Sequence, residues 1–411
     1  MSRRRAPLRL AGALCAAALS VGALLSACSF EERIVDGVED ALTDGPFYAV
    51  PTSFPAAEPG SVFRSEPIPE APDGTKAWRV IYHSEDVDGG DVLVSGVVVS
   101  PDRKAPEGGW PIISWGHPTT GISAGCAPSL GIDPFDLIEG LSRFVTEGYV
   151  VAATDYQGMG VQGQSNYLIG EPSGKDVLDA ARAARGIRGA DAGDELLLWG
   201  HSQGGHAVLF AASAAADYAP ELRLVAAAAA APATDLATLL DDDIGTVSGV
   251  TIASYAFEAY STAYGPTVPG ADLERILTPA GAAATPKMAE LCLFAQNGTL
   301  HRLAEPLVDA YLAGDPASTQ PWASLLRQNS APAAIPVPVL IAQGESDTLV
   351  RPETTRAYAG AACGAGTALR YLSIPGAGHG DVAVRALPDV TAWFADARAG
   401  ESQNECANLP R

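Results

Sequence analysis

From Trp78 onward the chain alternates short apolar runs with longer stretches of helical spacing. The runs fall at 78–83, 92–99, 112–115, 149–154, 195–199, 222–228, 337–342 and 369–374. The first two lie close together and alternate apolar with polar positions, which predicts an antiparallel, hairpin-like start. From the third onward the runs are mostly continuous, as expected of strands covered on both faces of a parallel sheet. Stretches 134–147, 173–187, 203–216, 352–362 and 381–398 predict helices between them. Strand and helix alternating in this way predict a doubly wound α/β sheet of eight strands, with helices on both faces and a ligand site at the carboxyl ends of the strands.

Two segments break the rhythm. Residues 30–76 are rich in Pro, Glu, Ser and Ala, and Pro51, Pro55, Pro59, Pro67, Pro69 and Pro72 interrupt any periodicity, which predicts an extended arm. Residues 237–335 carry Ala-rich and Leu-rich patches broken by prolines, a span far too long for a loop in a compact domain. It is expected to be a helical lid inserted between strands six and seven, above the active-site edge. The expected organisation is a leader at 1–27, an arm at 28–76, a core in two parts at 77–236 and 336–411, and the insertion at 237–335.

The leader is legible in the first turns of sequence. Arg3, Arg4, Arg5 and Arg9 precede an apolar run over 10–25, and Leu25-Ser26-Ala27-Cys28 closes it, the pattern of a signal peptide. The ending resembles the bacterial lipoprotein box, in which Cys28 becomes the first residue and carries the lipid; ordinary cleavage after Ala27 would leave Cys28 a thiol. Either route predicts export, to the outer face of the cell membrane or beyond it. A twin-arginine reading of Ser2-Arg3-Arg4 is weak, because no Phe-Leu follows.

Charge then narrows the partners. With 48 Asp+Glu against 26 Lys+Arg the net charge is −22, which repels phosphates and anionic headgroups. A nucleic-acid partner is therefore excluded, and membrane contact is expected only through a lipid on Cys28. Loss of the leader removes Cys15 and a lipid would occupy Cys28, so Cys126, Cys292, Cys363 and Cys406 remain, and four cysteines in an exported chain predict two disulfides with three possible pairings.

Chemistry enters at Gly200-His201-Ser202-Gln203-Gly204-Gly205, which follows an apolar run and opens an Ala-rich helix. In G-x-S-x-G the glycines permit a sharp turn that leaves the serine hydroxyl exposed at a helix N-terminus. The five-residue pattern alone is weak evidence, since Gly121-Ile122-Ser123-Ala124-Gly125 fits it too. That second copy lacks a strand immediately before it and a helix after it, so Ser202 is the expected nucleophile and Ser123 a loop serine. On such a sheet the order is Ser, acid, His. Asp347 lies in the loop after the seventh run and His379 in the loop after the eighth. Glu345 is the competing acid, nearer its strand end. Asp155 precedes the serine and is expected to be structural or part of the site wall, and Asp381 is expected to cap the last helix. His201 and His206 flank the nucleophile and cannot easily return to it as base; His83 and His301 have no supporting context. The oxyanion site is expected to use the amide of Gln203 and one from Gly116-His117-Pro118-Thr119-Thr120-Gly121, where Pro118 has no N–H and the donor falls to Thr119 or Thr120. The chain has no H-E-x-x-H, Walker loop or dinucleotide fingerprint, so no metal and no cofactor are implied.

Taken together, Gly116 to Gly121 followed by Cys126-Ala127-Pro128-Ser129, Asp155-Tyr156-Gln157-Gly158, Gly200 to Ala207, Tyr218-Ala219-Pro220-Glu221-Leu222 and Cys292-Leu293 resemble the secretory lipases, the yeast lipase A-like proteins with their actinobacterial homologues, within the α/β-hydrolase superfamily. The resemblance covers most of the chain from about residue 60. It implies an α/β-hydrolase with a helical lid, a Ser-His-Asp triad and small-molecule or lipidic carboxylic esters as substrates. It also implies pairing Cys126 with Cys292 and Cys363 with Cys406. The chain departs from the yeast member at His201, where that protein carries another residue. A peptidase or acyltransferase on the same triad, or a surface lipoprotein that only binds, are the competing readings, because a triad does not specify the leaving group.

Overall fold

A computed structural model describes residues 46–409. Cys28 and the whole leader lie outside the described residues.

Nine strands form one sheet: β1 (Val62–Pro67), β2 (Thr75–Glu85), β3 (Asp91–Pro101), β4 (Trp110–Gly116), β5 (Val150–Thr154), β6 (Ala192–His201), β7 (Arg223–Ala230), β8 (Val339–Gly344) and β9 (Leu369–Ile374). Their order is β1-β2-β3-β5-β4-β6-β7-β8-β9. The β1/β2, β2/β3 and β3/β5 ladders are antiparallel and the rest parallel. The expectation of eight strands is corrected by β1, which lies inside the Pro-rich arm. Its sequence VFRSEP has no buried residue, and it pairs only with β2 at the sheet edge. An edge strand needs no apolar face and tolerates a terminal proline, so hydrophobic periodicity does not reveal it.

Helices α1 (Leu141–Glu147) and α10 (Val382–Ala399) cover one face of the sheet; α2 (Gly170–Gly186), α3 (Gln203–Tyr218) and α9 (Pro352–Gly364) cover the other. Continuous apolar strands result, with Leu196 to Trp199 and Ala226 to Ala230 fully buried. Helix α1 is half the length that the sequence suggests. Gly140, left-handed at φ 95°, stands before it, and a Cβ there would lie 2.5 Å from Leu387. Ahead of β1, Phe47 and Tyr48 are buried among Ile81, Leu93 and Met159.

Between β7 and β8 the chain forms α4 (Leu236–Asp243), α5 (Val247–Tyr264), α6 (Pro279–Ala289), α7 (Asn297–Ala304) and α8 (Trp322–Gln328). These helices share a core built on Tyr255, Phe257, Tyr260 and Trp322, which also takes in Ile122, Tyr167 and Leu168 from loops at the carboxyl ends of the strands. Disulfides join Cys126 to Cys292 and Cys363 to Cys406. Among the described residues no helix is long and apolar enough to cross a membrane.

One buried acid makes stability depend on pH. Asp176 on α2 accepts from Gln157 N (2.9 Å) and Asn166 Nδ2 (2.7 Å), while its Oδ1 has no partner. Burial pushes this carboxyl up to about 7, against the hydrogen bonds from Asn166 and Gln157. The unfolded chain loses the proton from about pH 4, whereas the folded chain keeps it until about pH 7, so this group costs stability as pH rises through that window. Asp176→Asn should melt several degrees above wild type near pH 8 and level with it near pH 4. An equal shift at both pH values would refute the linkage.

Candidate active site

The end of β6 passes directly into α3, and the residue at the junction is Ser202. Its φ of 57° and ψ of −115° are strained for a residue with a Cβ. Glycines make the turn possible: a Cβ on Gly204 would lie 1.8 Å from the Gly116 carbonyl, and one on Gly200 would lie 2.2 Å from the Gly204 carbonyl. Helix α3 thus starts against β4, and Ser202 is lifted above the strand ends.

Two other strand ends complete the group. His379, in the turn after β9, has Nε2 2.9 Å from Ser202 Oγ and Nδ1 2.9 Å from Asp347 Oδ2. Asp347, in the turn after β8, accepts on Oδ1 from the amides of Leu349 and Val350, both at 2.9 Å. Burial alone would raise this carboxyl; the hydrogen bond and charge of His379, with those two amides, outweigh burial and hold it below the usual carboxylate range. Asp381 does not cap α10 with its side chain, contrary to expectation. It turns back to accept from Gly378 N at 2.7 Å, closing the turn that carries His379.

The competitors lie elsewhere. Glu345 accepts from Ser373 Oγ at 2.9 Å on an exposed edge. Ser123 contacts Cys126 Sγ (3.1 Å) and donates to the Glu290 carbonyl (3.3 Å). Asp155 is buried and accepts from Ser95 Oγ (2.6 Å) and from the amide and hydroxyl of Ser129, so it ties the loop after β4 to the sheet. His206 is pushed down to about 4 by burial and donates from Nε2 to the Asn329 carbonyl. His83 pairs with Asp91 at 2.8 Å.

Ser202, Gln203 and Thr119 open onto a cavity of about 370 Å³. Its walls include Leu240, Ile252, Phe257 and Leu326 from the inserted helices, with Phe294 and Leu349. Thr119 Oγ1 is 2.8 Å from Tyr167 Oη. Thr120 does not reach the cavity: its hydroxyl donates to the Cys126 carbonyl (2.8 Å), and its own carbonyl accepts from Leu293 N (2.7 Å). Asp243, the last residue of α4, stands in the apolar wall. Its burial pushes it up to about 6 despite the nearby charge of Arg351, which pairs with Asp242 at 3.0 Å.

A family model described as secretory lipase matches residues 136–405. The chain belongs to the secretory lipase family. Among curated relatives of this secretory lipase family member, a probable inactive lipase of Mycobacterium tuberculosis is 30% identical over 47% of the chain and 46% of its own length. Lipase A of Arthroderma benhamiae is 25% identical over 86% of the chain and 79% of its own length. The chain spans about half the length of the first of these relatives. Among solved structures, Candida antarctica lipase A superposes with a TM-score of 0.75 at 19% identity, covering 90% of this chain and 89% of that one. The rice cell wall degrading esterase LipA from Xanthomonas oryzae gives 0.66 at 20% identity, covering 84% and 100%. Both are α/β-hydrolase folds, as is this chain.

Proposed function

We propose that the protein is an exported serine hydrolase that cleaves carboxylic esters, with Ser202, His379 and Asp347 as its triad. The observation that carries this reading is the continuous hydrogen-bonded line from Ser202 through His379 to Asp347, at the edge of an apolar cavity. In this reading His379 Nε2 takes the Ser202 proton as the hydroxyl attacks the ester carbonyl, and Asp347 holds the Nδ1–H tautomer and stabilises the imidazolium. His379 then passes the proton to the leaving alcohol. Water, activated by the same base, releases the acid from Ser202. The tetrahedral oxyanion is held by the backbone amides of Gln203 and Thr119. Gln203 opens α3, where the first amides have no acceptor within the helix. Thr119 is preferred to Thr120 because it faces the cavity. The donor set supplies a complete acyl-transfer site with no metal or cofactor in any step.

The substrate follows from the walls. Apolar side chains from the inserted helices suit the acyl chain of a lipidic ester, such as an acylglycerol, and these helices act as a lid over the core. Export rests on the leader sequence and on the family description, and anchoring on the Leu25-Ser26-Ala27-Cys28 ending. The test is hydrolysis of p-nitrophenyl esters of increasing chain length by the mature protein. Each methylene buried in the cavity is worth about 0.8 kcal/mol, so kcat/KM should climb up to about fourfold per carbon until the cavity is full. No ester turnover by folded protein, or turnover confined to peptide bonds, would overturn the reading.

A further inference from the structure

We propose that Glu139 and His201 are a proton-sharing pair that positions His379. The inference rests on the triad reading above, and it concerns a histidine whose place beside the nucleophile rules it out as the base.

His201 is the last residue of β6, and its ring packs on that of His379 with centroids 5.2 Å apart. Its Nε2 lies 2.9 Å from the backbone carbonyl of His379. A carbonyl only accepts, so Nε2 carries a proton. On the other side of the ring Nδ1 lies 3.1 Å from Glu139 Oε1. A neutral ring with its proton on Nε2 would turn a bare nitrogen lone pair toward a carboxylate, two acceptors with nothing between them. The contact is sound only with a second proton in it, carried by His201 as imidazolium or by Glu139 as acid. In either form the ring keeps its Nε2–H on His379.

Glu139 is itself held by the strand that it serves. Its carbonyl accepts from Trp199 Nε1 at 2.9 Å, two residues before His201 on β6. Trp199 and His201 are buried, and Glu139 Oε2 is buried without a partner, so the carboxylate is committed to this one contact. The circuit runs from Trp199 to Glu139, to His201 and to the His379 carbonyl. Its consequence is geometric: consecutive residues of one rigid strand end present the nucleophile and grip the backbone of the base. Without that grip the turn after β9 keeps the Asp381–Gly378 closure and the amide of Ser346 on the Ala377 carbonyl at 2.8 Å. Neither acts on the backbone of His379, whose ring is held through Nδ1 by Asp347. Glu139 and His201 act as positioning residues although both also border the cavity, and their loss should be felt far more in turnover than in substrate binding.

The experiment uses the mature protein with a p-nitrophenyl ester, and compares His201→Leu, His201→Gln, Glu139→Leu and Glu139→Gln for kcat, KM and melting temperature. Misplacing a reacting group by about 1 Å costs on the order of 100-fold. Both Leu variants should therefore lose about that factor in kcat, with a much smaller change in KM. Both Gln variants should recover most of the loss: at 201 the amide N–H can donate to the His379 carbonyl, and at 139 it can donate to Nδ1 of a neutral ring. Folded Leu variants with wild-type kcat, or folded Gln variants as slow as the Leu variants, would overturn the proposal. Nitrogen-15 NMR of histidine-labelled wild type gives a test that needs no variant: His201 must be protonated at Nε2, and an Nδ1–H tautomer overturns the pair outright. A wild type that neither hydrolyses esters nor reacts at Ser202 with a fluorophosphonate would instead remove the triad reading, and the NMR result would still decide the pair.

Discussion

Ester turnover is expected to fall by about a million-fold on Ser202→Ala, leaving only what the remaining site and binding supply over water. Asp347→Asn should cost roughly 10⁴-fold, because an amide can hold the wrong tautomer of His379 and cannot stabilise the imidazolium. Ser123→Ala, in the other G-x-S-x-G, should keep most of the activity. The physical basis is position. Ser202 sits at the start of a helix with its hydroxyl 2.9 Å from an imidazole, whereas Ser123 donates to a backbone carbonyl beside a disulfide. Steady-state kinetics on one short ester, with melting curves to show that each variant folds, compare all three. Substantial activity in Ser202→Ala would end the assignment.

The second large effect concerns the Cys126–Cys292 bridge. In the chain-entropy account, closing its loop, with a sequence separation of 166, is worth about 5 kcal/mol. Cys363–Cys406, with a separation of 43, is worth about 4 kcal/mol. The double variant Cys126→Ser, Cys292→Ser should therefore melt lowest. The two bridges differ more sharply in what they tie. Cys126–Cys292 joins the loop after β4 to the inserted helices, beside the Leu293 amide on the Thr120 carbonyl at 2.7 Å, and Leu293 and Phe294 border the cavity. Cys363–Cys406 joins α9 to the C-terminal segment, away from the cavity. Loss of the first should depress turnover of long-chain esters more than short ones, and loss of the second should lower stability alone. Equal chain-length profiles for both double variants would contradict this division of labour.

What the sequence determined by itself is what local chain physics encodes. Continuous apolar runs mark β4 to β8 because a strand covered on both faces has no polar side, whereas β9, at the sheet edge, keeps Arg370 half-buried and Ser373 exposed. Gly200 and Gly204 mark the elbow because backbone approaches within 2.2 Å of where a Cβ would stand. Asp347 and His379 come together with Ser202 because each follows a strand of the sheet at its carboxyl end. The tertiary structure alone decided matters in which the partner is remote in sequence. Strand β1 is held by backbone pairing at an edge, which leaves no side-chain pattern. Thr119 and Thr120 are equivalent on paper and differ only in which one faces the cavity and which is tied to Cys126 and Leu293. Asp243 stands in the cavity wall only because the inserted helices pack around it. Glu139 and His201 are 62 residues apart, and His201 and His379 are 178 apart, with the whole insertion between them. Hydrogen bonds of that kind depend on where folding brings two side chains, and no spacing along the chain records it.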